Sequence, residues 1–206
     1  MKKRFTRMTS PVGTALWPHL NEPDTKFNKD GDYKVSLIVD EEEAAPLISE
    51  MQKVLSDFKN SGQSRSKKDN TPPLREATPE ELAAAGLEGD YVVFKFKMRA
   101  VGVSGGERWE QRPILFDSQG KPTVARIGNN SKIKVGFEIV PYSTPATGNG
   151  ITLRLKAVQV IELREISSGQ SFDSWGFTQQ DGFTAGTETV TQGASDNEPE
   201  DESYDW

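Results

Sequence analysis

The run YVVFKFKMRAV, residues 91–101, alternates with a period of two. Phe94, Phe96, Met98 and Ala100 fall on one side and Lys95, Lys97 and Arg99 on the other, as in a strand with one buried and one solvated face. The same pattern recurs on both sides of this run. In residues 32–40 (DYKVSLIVD), Tyr33, Val35, Leu37 and Val39 share a face. Residues 132–141 set Ile133, Val135, Phe137 and Ile139 against Lys132, Lys134 and Glu138, and residues 151–163 open with Ile151, Leu153 and Leu155 opposite Arg154 and Lys156. Residues 108–117 are expected to form a hairpin partner for the 91–101 strand, followed by turn formers at Ser118, Gln119, Gly120 and Lys121.

Two helices interrupt the strands. Over residues 41–60, Leu47, Ile48, Met51, Val54, Leu55 and Phe58 lie at helical spacing, and Glu41, Glu42 and Glu43 sit where the helix dipole favours negative charge. This stripe reads as core packed on a sheet. A second, short helix starts at Thr78, which caps it, with Pro79 at its first position. Five or more strands with one main helix give a β-rich α+β fold and point to a small closed barrel. Periodicity alone leaves a barrel for oligonucleotides and a sandwich both open.

The net charge of −6 conceals a division. All 25 Lys and Arg fall between Lys2 and Arg164; residues 1–165 hold 22 acids, for a net of +3, while residues 166–206 hold nine acids and no base. The chain is a mildly basic body with an acidic end. Residues 196–206 (DNEPEDESYDW) contain six acids in eleven positions and few apolar groups, so a disordered tail is expected from 186 to 206. Between body and tail, Phe172, Trp175, Phe177 and Phe183 form an aromatic docking segment over 171–185. Packing back on the barrel is favoured for it over a dimer interface, because solvated aromatics at this density are unusual.

Several classes of chemistry find no support. There is no cysteine for a disulfide, thiolate ligand or nucleophile. His19, the single histidine, rules out paired-histidine metal sites, and no phosphate-binding glycine loop precedes a Lys-Ser/Thr pair. Residues 28–32 (NKDGD) look superficially like a calcium loop but have Tyr33 where glycine is required, so they read as a turn. Carboxylates on strands are few (Glu110, Asp117, Glu138, Glu162), which disfavours a two-metal nuclease. No apolar stretch is long enough to span a bilayer, and the basic start has no apolar segment behind it. No catalytic residue, metal or cofactor is expected, and the chain reads as a non-enzyme.

What remains is electrostatic. Three strands present cations opposite their core residues: Lys95, Lys97 and Arg99; Lys132 and Lys134; Arg154 and Lys156. One such strand is usually just a solvated face. Three of them, with an acidic tail set apart, favour a phosphate-tracking groove. Lys3, Arg4, Lys34 and Arg112 are added as candidate contacts, and Trp17, Tyr33, Trp109 and Tyr142 as candidate faces for stacking bases.

The chain also resembles the replicative single-stranded DNA-binding proteins of tailed phages, especially those of short-tailed coliphages. The resemblance rests on GDYKVSLIV (31–39), FKFKMRA (94–100), LFDSQGK (115–121), IGNNSKIKVGFEIVPY (127–142) and ITLRLKAVQVIEL (151–163), in that order. It implies an OB-fold-like antiparallel barrel over residues 1–170, with an inserted amphipathic helix. It further implies sequence-tolerant binding of single-stranded DNA in replication, recombination and repair in the cytoplasm of an infected bacterium. The tail would compete with DNA and recruit a phage DNA polymerase and helicase/primase through Asp201, Glu202, Tyr204, Asp205 and Trp206; a homodimer stays open. The alternative is an interaction scaffold whose barrel binds other proteins.

Overall fold

The computed structural model describes residues 5–164. Lys3, Arg4, the 171–185 segment and the 186–206 tail with its five candidate partner residues lie outside the described residues. The elements in chain order are β1 (Thr6–Thr9), β2 (Gly13–Asp24), β3 (Asp32–Asp40), α1 (Glu41–Asn60), β4 (Leu74–Glu76), α2 (Pro79–Ala85), β5 (Tyr91–Arg99), β6 (Val101–Ser104), β7 (Glu107–Glu110), β8 (Ile114–Phe116), β9 (Lys132–Thr144) and β10 (Gly148–Glu162).

Five of these strands close on themselves. β2 pairs with β3, β3 with β5, β5 with β10, β10 with β9, and β9 returns to β2. This circuit is the OB arrangement, a five-stranded, partly open barrel. β1 joins the outer edge of β9, and β4 and β8 flank β5 and β10. Two expectations are corrected. The barrel is not wholly antiparallel: β5–β10 and β8–β10 are parallel. Residues 108–117 do not form one hairpin arm: Glu107–Glu110 pairs with Val101–Ser104 in a separate two-stranded ribbon, and Ile114–Phe116 runs along β10. β1 and β2 carry no alternating signal strong enough to have been read from the sequence.

The alternating residues fill the barrel as expected. Phe94, Phe96 and Phe137 are fully buried, with the rings of Phe96 and Phe137 5.0 Å apart. α1 packs on the barrel core through Ala44, Leu47 and Met51, and Asp40 caps it by accepting from the amides of Glu42 and Glu43 at 2.9 and 3.3 Å. α2 is held by a capping box in which Thr78 and Glu81 satisfy each other's backbone amides.

Glu81 also takes both terminal nitrogens of Arg75 on β4. The Arg75 guanidinium, aided by the Thr78 amide, holds the Glu81 carboxyl below its ordinary range. A depressed carboxyl stabilises the fold above its unfolded pKa and loses that contribution as pH falls through the folded value. Glu81→Gln is therefore expected to lower Tm at neutral pH and to shrink the gap to the parent as pH drops below about 4. Thermal melts across that range check it; a gap that does not depend on pH would remove the charge from the explanation.

Candidate nucleic-acid interface

The outward face of the barrel carries one unbroken line of polar residues across six strands. His19 on β2 lies opposite Lys34 on β3, Lys34 opposite Lys97 on β5, Lys97 beside Arg154 on β10, Arg154 opposite Glu138 on β9, and Glu138 opposite Arg7 on β1. Lys95 stands two residues before Lys97, opposite Ser36. Like charges directly opposite on a sheet repel, and each close pair here has an acid to relieve it. Lys34 is bonded to Asp24; Lys97 meets Asp32 at 2.9 Å; Arg7 and Arg154 share Glu138 at 3.1 and 3.6 Å. Lys34, with help from the Lys26 amide, holds the Asp24 carboxyl below its ordinary range.

A groove runs over this face, lined by Trp17, His19, Lys26, Phe27, Lys34, Lys95 and Lys97 among others. One wall is the β2–β3 loop. In it, Asn28 folds the chain by accepting from the Asp30 amide at 3.2 Å, while its carbonyl accepts from Gly31 at 2.8 Å. Gly31 has φ +81, and a Cβ there would come within 2.8 Å of Pro23. The loop is the expected turn, and its carboxylates are engaged internally: Asp30 with Arg108 at 2.8 Å, Asp32 with Lys97 and Asn28. Beside it Phe27 stands 85% exposed, with the Lys26 ammonium 5.4 Å from its ring.

Opposite Phe27, Trp17 is 55% exposed at a register shift in β2, with φ +46. A bulky residue in that region is strained by about 1–3 kcal/mol and persists only where its surroundings enforce it. Here Asn129 accepts from the Trp17 amide at 2.6 Å. Its neighbours tie the same corner together. Asn130 donates through its amide to Ala15 (2.8 Å) and through its side chain to Ala84 of α2 (2.9 Å); Ser131 bonds Gly128 and Arg164; and Lys132 donates to Thr14 at 2.8 Å. The GNNSK motif (128–132) is thus a bracket that turns an indole outward.

The candidate residues separate into those gathered here and those placed elsewhere. Trp17, Lys34, Lys95, Lys97 and Arg154 share the face, and Arg99 and Lys156 extend it as exposed residues of β5 and β10. Tyr33 is a correction: it is buried in the core and offers no ring face to a base. Trp109 is half exposed on the ribbon but lies across Gly102, where an added Cβ would meet the ring at 2.3 Å, so one face is occupied. Tyr142 is half-buried, and its hydroxyl accepts from Asn70 at 2.5 Å. Lys132 and Lys134 lie toward the far end of β9; Lys134 is four residues from Glu138, about 13 Å along the strand. Arg112 stands with Arg126 and Ile114 around a different hollow. Phe27 and Lys26 went unread in the sequence, and Asn129 was read only as part of the 127–142 motif; none belongs to an alternating run.

Among the described residues no helix is long and apolar enough to cross a membrane. Residues 12–163 match the family model for the single-stranded DNA-binding protein of bacteriophage T7. The chain is 32% identical over 93 residues to the single-stranded DNA-binding protein of Escherichia phage T7, and 37% over 76 residues to that of Enterobacteria phage T3. These stretches cover 43% and 35% of this chain, but only 39% and 32% of the relatives' lengths. The crystal structure of the T7 protein superposes with a TM-score of 0.60 at 24% identity, over 89% of this chain and all of that one. The bacteriophage Enc34 single-stranded DNA-binding protein in complex with single-stranded DNA superposes at 0.55 with 14% identity, over 77% and 88%. At these identities the superpositions establish the fold.

Proposed function

The chain belongs to the family of the bacteriophage T7 single-stranded DNA-binding protein, and from that premise we propose that it binds single-stranded DNA without sequence preference, on the β3–β5 face. The observation that carries this reading is the groove, where Lys34, Lys95 and Lys97 lie beneath two outward aromatics, Trp17 and Phe27. A single strand needs cations for its phosphates and ring faces for its bases. In OB barrels the second and third strands and the loop joining the first two form the platform for oligonucleotides; here these are β3, β5 and residues 25–31.

The protein acts without catalysing a reaction, in phage replication, recombination and repair inside the infected host. Its acidic end competes with DNA for the groove, since a tethered acidic segment has a high effective concentration there. Once displaced, the end recruits polymerase and helicase/primase through Tyr204 and Trp206, with Asp201, Glu202 and Asp205 steering the encounter.

Titration of the full chain with oligo(dT) at several salt concentrations tests the reading. Saturable binding is expected, weakening as log salt rises at about 0.7 per phosphate neutralised. Removing residues 196–206 is expected to tighten binding, and more at low salt than at high. Binding that is absent or insensitive to salt would favour a protein-interaction scaffold, and equal affinity with and without the tail at low salt would end the competition model.

A further inference from the structure

Between α1 and β4 the chain passes through Arg65, Lys67 and Lys68, which lie outside the groove described above. The segment is fastened to the β9–β10 hairpin. The Arg65 amide donates to Ser143 Oγ at 2.8 Å, the Asn149 amide to the Lys68 carbonyl at 2.8 Å, and the Asn70 amide to the Asn149 carbonyl at 2.6 Å. The side chain of Asn149, 1% exposed, accepts from Ser64 Oγ at 2.8 Å and donates to the Ser66 carbonyl at 2.9 Å. Asn70 reaches the Tyr142 hydroxyl. At Gly148, φ +91, a Cβ would stand 2.5 Å from the Lys68 carbonyl, so the two backbones touch. At its other end the segment meets the barrel face, where the Lys95 amide donates to the Pro73 carbonyl at 2.9 Å.

Residues 65–73 therefore bridge the hairpin and the backbone of Lys95. On the groove face Lys34, Lys97 and Arg154 each hold a carboxylate; Arg65, Lys67 and Lys68, like Lys95, have exposed side chains with no ion pair among the described residues. Asp69, the one acid in the run, is occupied by Lys59 at 2.7 Å and by Asn149. A loop that merely faces water needs no buried asparagine knot beneath it. A loop that presents three unpaired cations at a set place does, because ordering them beforehand lowers the entropic cost of binding.

Resting on the reading of the groove as a site for single strands, we infer that Arg65, Lys67 and Lys68 form a second phosphate station. It takes the backbone of a strand that has already crossed Lys95 and lengthens the footprint toward the β9–β10 hairpin. Its occupant is the same single strand, and the contact is to phosphate, hence indifferent to sequence.

The test compares the full chain with its R65Q/K67Q/K68Q variant on two lengths of oligo(dT). One, of about 6 nucleotides, is within what a single OB face covers; the other, of about 20, exceeds it. On the long oligonucleotide the variant is expected to show a salt slope shallower by about 2 and at least a tenfold loss of affinity near 0.1 M salt. On the short one the two proteins are expected to bind alike, with unchanged Tm. Unchanged binding of the long oligonucleotide overturns the station. So does an equal loss on both lengths, which would mark a general field rather than an extended path. If the parent chain binds neither length, the groove reading fails and the station falls with it.

Discussion

Replacing Lys34, Lys95 and Lys97 by glutamine together is expected to cut affinity for oligo(dT) roughly a hundredfold at 0.1 M salt. Three lost phosphate contacts reduce the salt slope by about 2, and a slope change of 2 taken from 1 M to 0.1 M is two decades in affinity. The loss should be the same for oligo(dT), oligo(dC) and mixed sequences, because phosphate contacts carry no base information. Lys132→Gln and Lys134→Gln serve as controls: their charge is similar, but β9 places them away from the groove, and Lys132 is bonded to Thr14. A triple variant with the parent's slope, or controls that lose as much, would show that the groove is not where the strand lies. Tm should fall as well, because Asp24 and the buried Asp32 lose the ammonium each is paired with, so affinity is compared per folded molecule.

Trp17→Gly is expected to weaken DNA binding by about 1–3 kcal/mol while leaving the protein as stable as the parent or more so. The two effects have separate causes. Loss of the indole removes a stacking platform. Glycine at φ +46 has no Cβ to strain, so it relieves a backbone that tryptophan occupies at a cost. Phe27→Ala, at a side chain 85% exposed, should cost binding on a similar scale without changing Tm. Anisotropy titrations beside thermal melts decide the matter. A Trp17→Gly protein that melts lower and binds normally per folded molecule would make the indole structural.

How much was legible in the sequence follows from what makes a signal periodic. β3, α1, β5, β9 and β10 were readable because each buries one face and solvates the other; the bounds of β3 and α1 agree with the structure, while β9 and β10 each run three residues further into their hairpin, to Thr144 and from Gly148. β2 was not, since its bulge at Trp17 and Pro18 breaks the alternation by which a strand announces itself. The hairpin assigned to residues 108–117 failed because closure by the parallel β5–β10 pair is a long-range fact with no local mark. At the candidate site, lysine rows were visible, but which rows meet depends on register: Lys34, Lys97 and Arg154 align, and Lys132 and Lys134 do not. Tyr33 shows the converse error. It belonged to the buried face of its own strand, and that period outweighed its aromatic chemistry. Phe27 and Asn129 stand in loops, where no spacing predicts direction.

The carboxylates seated among the cations of the face bear on how the protein would travel. A phosphate that reaches Lys34 or Lys97 takes the place of Asp24 or Asp32, and when it departs the acid returns. At these two lysines, though not at Lys95, the ammonium does not have to stand bare between one phosphate and the next. The barrier to shifting the strand by one nucleotide is then the difference between two ion pairs rather than the full cost of breaking one. A face built this way favours sliding and prompt hand-over to the next enzyme on the template over permanent residence.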